Sequence, residues 1–246
     1  MRPTAVAVLF SILILAGQDP EMVAIPAGDF NMGRAKLTSD DQTNMRPHVL
    51  LDDRPVHRVT ISAFQIDRHE VTNAQYRAFV EATRGHAPYH WENGHPAADH
   101  PVYNVTWDDA NAFCQWKGER LPTEAEWERA ARGGKEALDY PWGDQPDPKR
   151  ARFNVGTGPG PVAKFPPNDF GVYDMAGNVS EWTADWFDGA YYQKSPSMDP
   201  KGPPTGEYKV IRGGAWSDSG RRITVFFRNW VRPNQKTPNI GFRCAR

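Results

Sequence analysis

The sequence is short of thiols, of net charge and of long apolar runs. Two cysteines occur in 246 residues, and the formal net charge is −1. So even a balance gives no electrostatic footing for nucleic acid or another strongly anionic partner. No internal repeat, low-complexity block or interdomain linker interrupts the chain. Charged residues make up 24%, which places the chain among folded rather than disordered sequences. The one long uncharged apolar run is Ala5–Ala16, preceded by Arg2. It is too short to span a bilayer but suits the apolar region of a signal peptide. Residues 1–17 are therefore expected to be a signal peptide, cut before Gln18, with an uncleaved anchor as the alternative. No cysteine follows to carry a lipid. The mature chain is expected to be soluble, periplasmic or secreted, and free of the membrane. An exported chain meets oxidising conditions, which favour pairing Cys114 with Cys244; two inert buried thiols are the alternative.

What is abundant is equally informative. There are 22 prolines, 21 glycines and nine tryptophans. Proline and glycine together exceed the roughly 12% of average usage, which points to a loop-rich fold and away from a helix bundle. Met22–Gly33 reads as a hairpin, and the alternation over Val56–Asp67 reads as a half-buried strand. Thr72 is a candidate cap for a helix running to Arg84, with Gly85 as its stop and Tyr76, Phe79 and Val80 on its buried face. Thr106 caps a second helix over Trp107–Trp116. Thr123 and Glu126 form a capping box for a third, ending at Arg132 before Gly133–Gly134. Val210–Trp216 and Ile240–Cys244 are late strand candidates. The order of elements predicts an α+β fold without βαβ alternation.

Several stretches together carry a family resemblance. They are IPAGDFNMG, RHEVTNAQY, NVTWDDANAFCQWKGERLPTEAEWERAARGG, YPWGD, FPPNDFGVYDMAGNVSEW, VIRGGAW and NIGFRC. In this order, across residues 25–244, the sequence resembles the sulfatase-modifying-factor family, which includes the formylglycine-generating enzyme. The resemblance implies one domain over residues 22–246 with a variant C-type-lectin-like architecture. It also implies a Cys114–Cys244 disulfide. It implies calcium at the GVYDMAGNVSEW segment, held by Asp174, by the carbonyls of Met175, Gly177 and Val179, and by Glu181. Such a mixture of carboxylates and carbonyls from an irregular loop suits a hard cation. A second family calcium site starts at the equivalent of Asn154–Val155. Residues 156–161 here hold no carboxylate, which argues against that site. His90, His95 and His100 recur in a Pro-interrupted loop and are read as surface residues, not metal ligands.

The family's oxidase holds copper(I) between two thiolates, since soft sulfur selects that ion. In this sequence Asp218 stands at the first thiol position, and Ile223 or Thr224 at the second. Copper is therefore not expected, nor is formylglycine formation. A family-type pocket lined by Trp216, Asp218, Arg228, Trp230, Arg232 and Asn239 remains, suited to a peptide, a protein, a small polar ligand or a glycan. The leading expectation is a monomeric, calcium-stabilised binding, assembly or maturation-accessory module. The alternative is an enzyme using Asp218 as acid or base for oxidative tailoring of a small molecule or peptide, as in siderophore maturation. Residual oxidase activity on sulfatases is a third reading.

Overall fold

The helices begin where side chains can cap them. In the computed structural model, which describes residues 21–36, 52–94 and 96–246, all three start with a threonine that caps the first turn. Helix α1 (Asn73–Thr83) is boxed by Thr72 and Gln75, α2 (Trp107–Trp116) by Thr106 and Asp109, and α3 (Glu124–Arg132) by Thr123 and Glu126. Each box satisfies two amide donors that would otherwise lack partners. Helix α1 ends on Arg84 in the left-handed conformation, one residue earlier than the glycine stop expected from the sequence. Helix α3 ends on left-handed Gly133. The expected signal segment lies outside the described residues, as does His95.

The expected N-terminal hairpin is replaced by two separate ribbons. Strand β1 (Met22–Ile25) pairs antiparallel with β4 (Phe64–Asp67), and β2 (Gly28–Met32) with β3 (His57–Ile61). The long strand expected over Val56–Asp67 is thereby split at Ser62–Ala63. Asp199 fixes that break, accepting from both the Ser62 amide and hydroxyl at 2.7 Å. The split lets Val59 and Ile61, then Phe64 and Ile66, turn inward against Val23, Ile25, Phe30, Met32 and the α3 residues Trp127, Ala130 and Ala131.

The second half carries a four-stranded sheet, β7–β6–β5–β8. Its strands are β5 (Ser180–Trp186), β6 (Lys209–Arg212), β7 (Asn229–Val231) and β8 (Ile240–Gly241). The late strands are shorter than expected. Gly213 and Gly214 are left-handed and end β6, and Gly214 passes so near the Arg222 carbonyl that a Cβ would sit 2.5 Å from it. A second core joins α1 and α2 to this sheet through Tyr76, Phe79, Phe113, Trp182 and Phe242. Cys114 and Cys244 are disulfide-bonded inside it, as the resemblance implied. Elsewhere the amine of Lys209 lies between the Trp107 and Trp186 rings, 4.0 and 3.9 Å from their centroids.

The C-terminal segment is woven into the first half. Val71 donates to Phe242, Asp67 to Cys244 and Gln65 to Arg246, while Arg120 and Ala245 exchange both amide bonds. Among the described residues no helix is long and apolar enough to cross a membrane.

Candidate functional site

The segment Asp174–Glu181 turns tightly between the two halves. Asp174 and Asn178 both adopt left-handed backbone conformations. Gly177 runs so close to Arg152 that a Cβ would lie 2.3 Å from its carbonyl oxygen, so only glycine fits. Asp174 accepts from the Ala163 amide at 2.6 Å. Among the described residues, no hydrogen bond claims the carbonyls of Met175, Gly177 or Val179, although all three residues are buried. Unclaimed carbonyls on buried residues are uncommon, and these lie with the Asp174 carboxylate along one short segment of hard-oxygen groups.

Glu70 completes the loop's surroundings. It is fully buried and accepts from the Asn178 side-chain amide and the Val179 amide. Burial pushes its carboxyl well up, and Asp174 and Glu181 push it further. Burial likewise raises Asp174. Arg243 faces this group of carboxylates and is bound to Glu181 by two bonds of 2.7 Å. Trp127 Nε1 also donates to Glu181 at 2.8 Å. Glu181 therefore differs from the other expected calcium ligands: its carboxylate is held in a fully buried ion pair. Sequence reading missed Glu70 and Arg243, although each lies within a quoted motif, RHEVTNAQY and NIGFRC.

The second expected metal segment is a strut. Asn154 and Val155 donate their amides to the Asp218 and Trp216 carbonyls at 2.9 and 2.8 Å. The residues that follow them, 156–161, bring no carboxylate to this segment. His90 stacks on Tyr103 at 4.1 Å and His100 contacts Asp99. The described ligating side chains converge as a trio only at Asp67, Glu119 and Cys244. Cys244 is in the disulfide, and Asp67 is taken by Lys117 and the Cys244 amide.

The residues expected to line a family-type pocket each have partners of their own. Trp216 approaches the Pro238 carbonyl beside Asn239, and Asn239 accepts from Ser180. Trp230 stacks on Phe187 at 4.1 Å. Arg232 pairs with Glu207. Arg228 is buried and gripped by Glu124 at 2.6 and 2.9 Å, a pairing across 104 residues that local sequence could not reveal. Asp218 accepts from the Ala215 amide at 2.9 Å and lies 3.4 Å from Arg222. It ties the loop after the double glycine. Ile223, at the second thiol position, is fully buried against Tyr140, Ala151 and Ala176.

The model of the sulfatase-modifying factor enzyme 1-like domain matches residues 15–246. The chain belongs to this family. The formylglycine-generating enzyme of Streptomyces coelicolor is 36% identical over 91% of this chain and 88% of its own. A mouse relative, inactive C-alpha-formylglycine-generating enzyme 2, is 32% identical over 93% of this chain and 86% of its own. Among solved structures, PvdO from Pseudomonas aeruginosa superposes with a TM-score of 0.77 at 30% identity, covering 92% of this chain and 93% of that one. The loop-rich α+β, C-type-lectin-like architecture is thus the family's own.

Within that family framework one further acidic group stands out. Asp52 is 6% exposed, and its Oδ2 has no hydrogen-bond partner. It borders a cavity of about 270 Å³ beside Arg228 and the Ser219–Arg222 turn. Burial pushes its carboxyl up to about 7; Arg228 pulls it down, while Asp53 and Glu124 push it up. Nothing in the sequence pattern around DDRP singled it out.

Proposed function

We propose that this protein is an exported sulfatase-modifying-factor domain that binds or matures a partner and does not generate formylglycine. The observation that carries this reading is the state of sulfur. Both cysteines are joined in one buried disulfide, and no free thiol remains. A copper(I) dithiolate cannot be assembled from Asp218 and Ile223. The family includes a mouse relative named as inactive, so loss of the oxidase on this scaffold has a parallel. Asp218 is a poor candidate for acid–base chemistry, because its carboxylate is engaged by Ala215 and Arg222.

The reading includes calcium at Asp174 and the carbonyls of Met175, Gly177 and Val179. In support, these carbonyls are unclaimed, and Glu70, Asp174 and Glu181 outnumber the one arginine beside them. Calcium would supply charge neutralisation and loop order, not redox chemistry. Export fits the N-terminal pattern and the disulfide. A monomer binding a peptide, protein, small polar ligand or glycan, but not nucleic acid, completes the reading. The test is to incubate the protein with copper(I), oxygen and a CxPxR peptide, following the aldehyde product by mass spectrometry. No product is expected; turnover would overturn the reading.

A further inference from the structure

The break between β3 and β4 borders a cavity of about 510 Å³ that shares no residue with the Asp174–Glu181 loop or the Asp218 turn. Its volume falls within the roughly 300–1,000 Å³ of small-molecule sites. One wall is the break itself, where Ser62 and Ala63 are exposed between buried Ile61 and Phe64. The facing wall is α2, which presents Trp107 and Asn111 four residues apart, on one side of the helix. Trp107 gives its ring N–H to the Thr183 carbonyl at 2.7 Å, and the Lys209 amine covers one ring face. What Trp107 adds to the cavity is therefore apolar. Half-buried Ala184 continues that apolar lining.

The polar lining has spent its acceptors and kept its donors. Glu126 takes both arms of Arg120 at 2.6 Å and the Thr123 amide at 2.8 Å. Asp199 takes the Ser62 amide and hydroxyl. Among the described residues, by contrast, the Lys201 amine and the Asn111 side-chain amide have no hydrogen-bond or ion-pair partner. Arg246 commits only its Nε, to Gln65 Oε1 at 2.7 Å. Lys201 and Arg246 are both exposed, so their charged ends are open to a ligand. They also flank the same wall. Asp199, two residues before Lys201, is fixed at Ser62, and Arg246 exchanges both main-chain bonds with Gln65, next to Phe64. Free cationic donors beside an apolar lining call for a ligand with an acceptor group of negative charge and an apolar body. A guanidinium with a free pair of nitrogens favours a carboxylate, which it grips with two parallel bonds.

We infer that this cavity binds a compact aromatic carboxylate, with its carboxylate on Lys201 and Arg246 and its ring against Trp107, Phe64 and Ala184. The aromatic lining favours a flat ring, since paired rings gain beyond the area they bury. The Asn111 amide supplies a further donor from α2. The inference goes beyond the role proposed above and does not rest on it. It concerns another part of the surface and is assayed without copper or a CxPxR peptide, so either reading can fail alone.

The test is titration calorimetry on the full chain at low salt. The probes are phenylacetate and indole-3-acetate, their primary amides, and the amines phenethylamine and tryptamine, each at up to 10 mM. Both acids are expected to bind, the amides at least tenfold more weakly, and the amines not at all. A63F places a ring in the mouth of the cavity without changing any charge, and should weaken binding of the acids at least tenfold. K201Q and R246Q should each weaken it at least threefold, and added salt should weaken it in the native protein, because the cations are exposed. All three substitutions are on exposed residues, so the variants are expected to keep the native melting temperature, and the two charge variants test the site even if A63F changes the fold. Failure of both acids to bind, amides or amines binding as well as the acids, or acid affinities unchanged within twofold in K201Q and R246Q would each overturn the proposal.

Discussion

Replacing Glu181 by glutamine separates a core ion pair from a calcium ligand. Glu181 and Arg243 are both fully buried and share two bonds of 2.7 Å; Trp127 adds a third donor to the carboxylate. Removing one partner of such a pair leaves the other charge buried and uncompensated, at a cost of about 3–5 kcal/mol. Here Arg243 retains the Asp67 and Tyr173 carbonyls at 3.2 and 3.0 Å, and Glu70 and Asp174 remain in its field. That places the expected loss for E181Q near the lower bound, about 3 kcal/mol. At roughly 2–4 °C per kcal/mol for a domain of 150–250 residues, the melting temperature should fall by about 6–12 °C. Scanning calorimetry in millimolar calcium and in excess chelator distinguishes the two roles. A core ion pair predicts nearly the same loss in both buffers. A loss seen in calcium but absent in chelator would refute the argument and return Glu181 to the ligand set. R243M added to E181Q should recover part of the loss, because it removes the stranded charge.

Three other outcomes are expected. Calcium should raise the melting temperature of the native protein, and D174N should abolish most of that rise; a shift that survives in D174N would remove Asp174 from the site. For Asp52, the folded carboxyl is raised from its ordinary 3.8 to about 7, so the folded state binds more protons between these values and stability falls as pH rises through that window. D52N should therefore be more stable than the native protein at pH 8, by on the order of 2–4 kcal/mol, with the gap closing near pH 4 in urea titrations; a gap independent of pH would contradict the assignment. The double variant C114A/C244A removes a link across 130 residues, worth about 5 kcal/mol in the chain-entropy model. Urea midpoints should reflect that loss, and a change below about 1 kcal/mol would show that the unfolded chain gains little freedom.

The helices were legible in the sequence because their determinants are local. Thr106 and Thr123 lie within a few residues of the amides they cap, and the limits of α2 match the reading from sequence. The strands were not. Met22–Gly33 contains two good strands, but their partners lie 25 to 45 residues downstream, and no local pattern says which will pair. The split at Ser62 depends on Asp199, which is 137 residues away. The Asp174–Glu181 loop was visible through its motif, whereas Glu70, which supports it, is separated from Asn178 by 108 residues. Arg228 illustrates the limit most directly. Its place in a polar motif was legible, but its buried pairing with Glu124, 104 residues away, was not. Asp52 gave no signal because a carboxylate in a polar loop is ordinary until burial removes its water.

The weaving of residues 242–246 through the first half has a consequence for how the chain comes to be folded. Gln65, Asp67, Val71 and Arg120 each donate their main-chain amide to a carbonyl within residues 242–246. A chain synthesised from its N-terminus cannot complete those bonds before residues 242–246 have been made. The first half must wait, with Ile66 and its neighbours incompletely covered, until they are. Such long-range closure slows folding and lengthens exposure to aggregation. The order of synthesis therefore delays closure of the first half until residues 242–246 have been made.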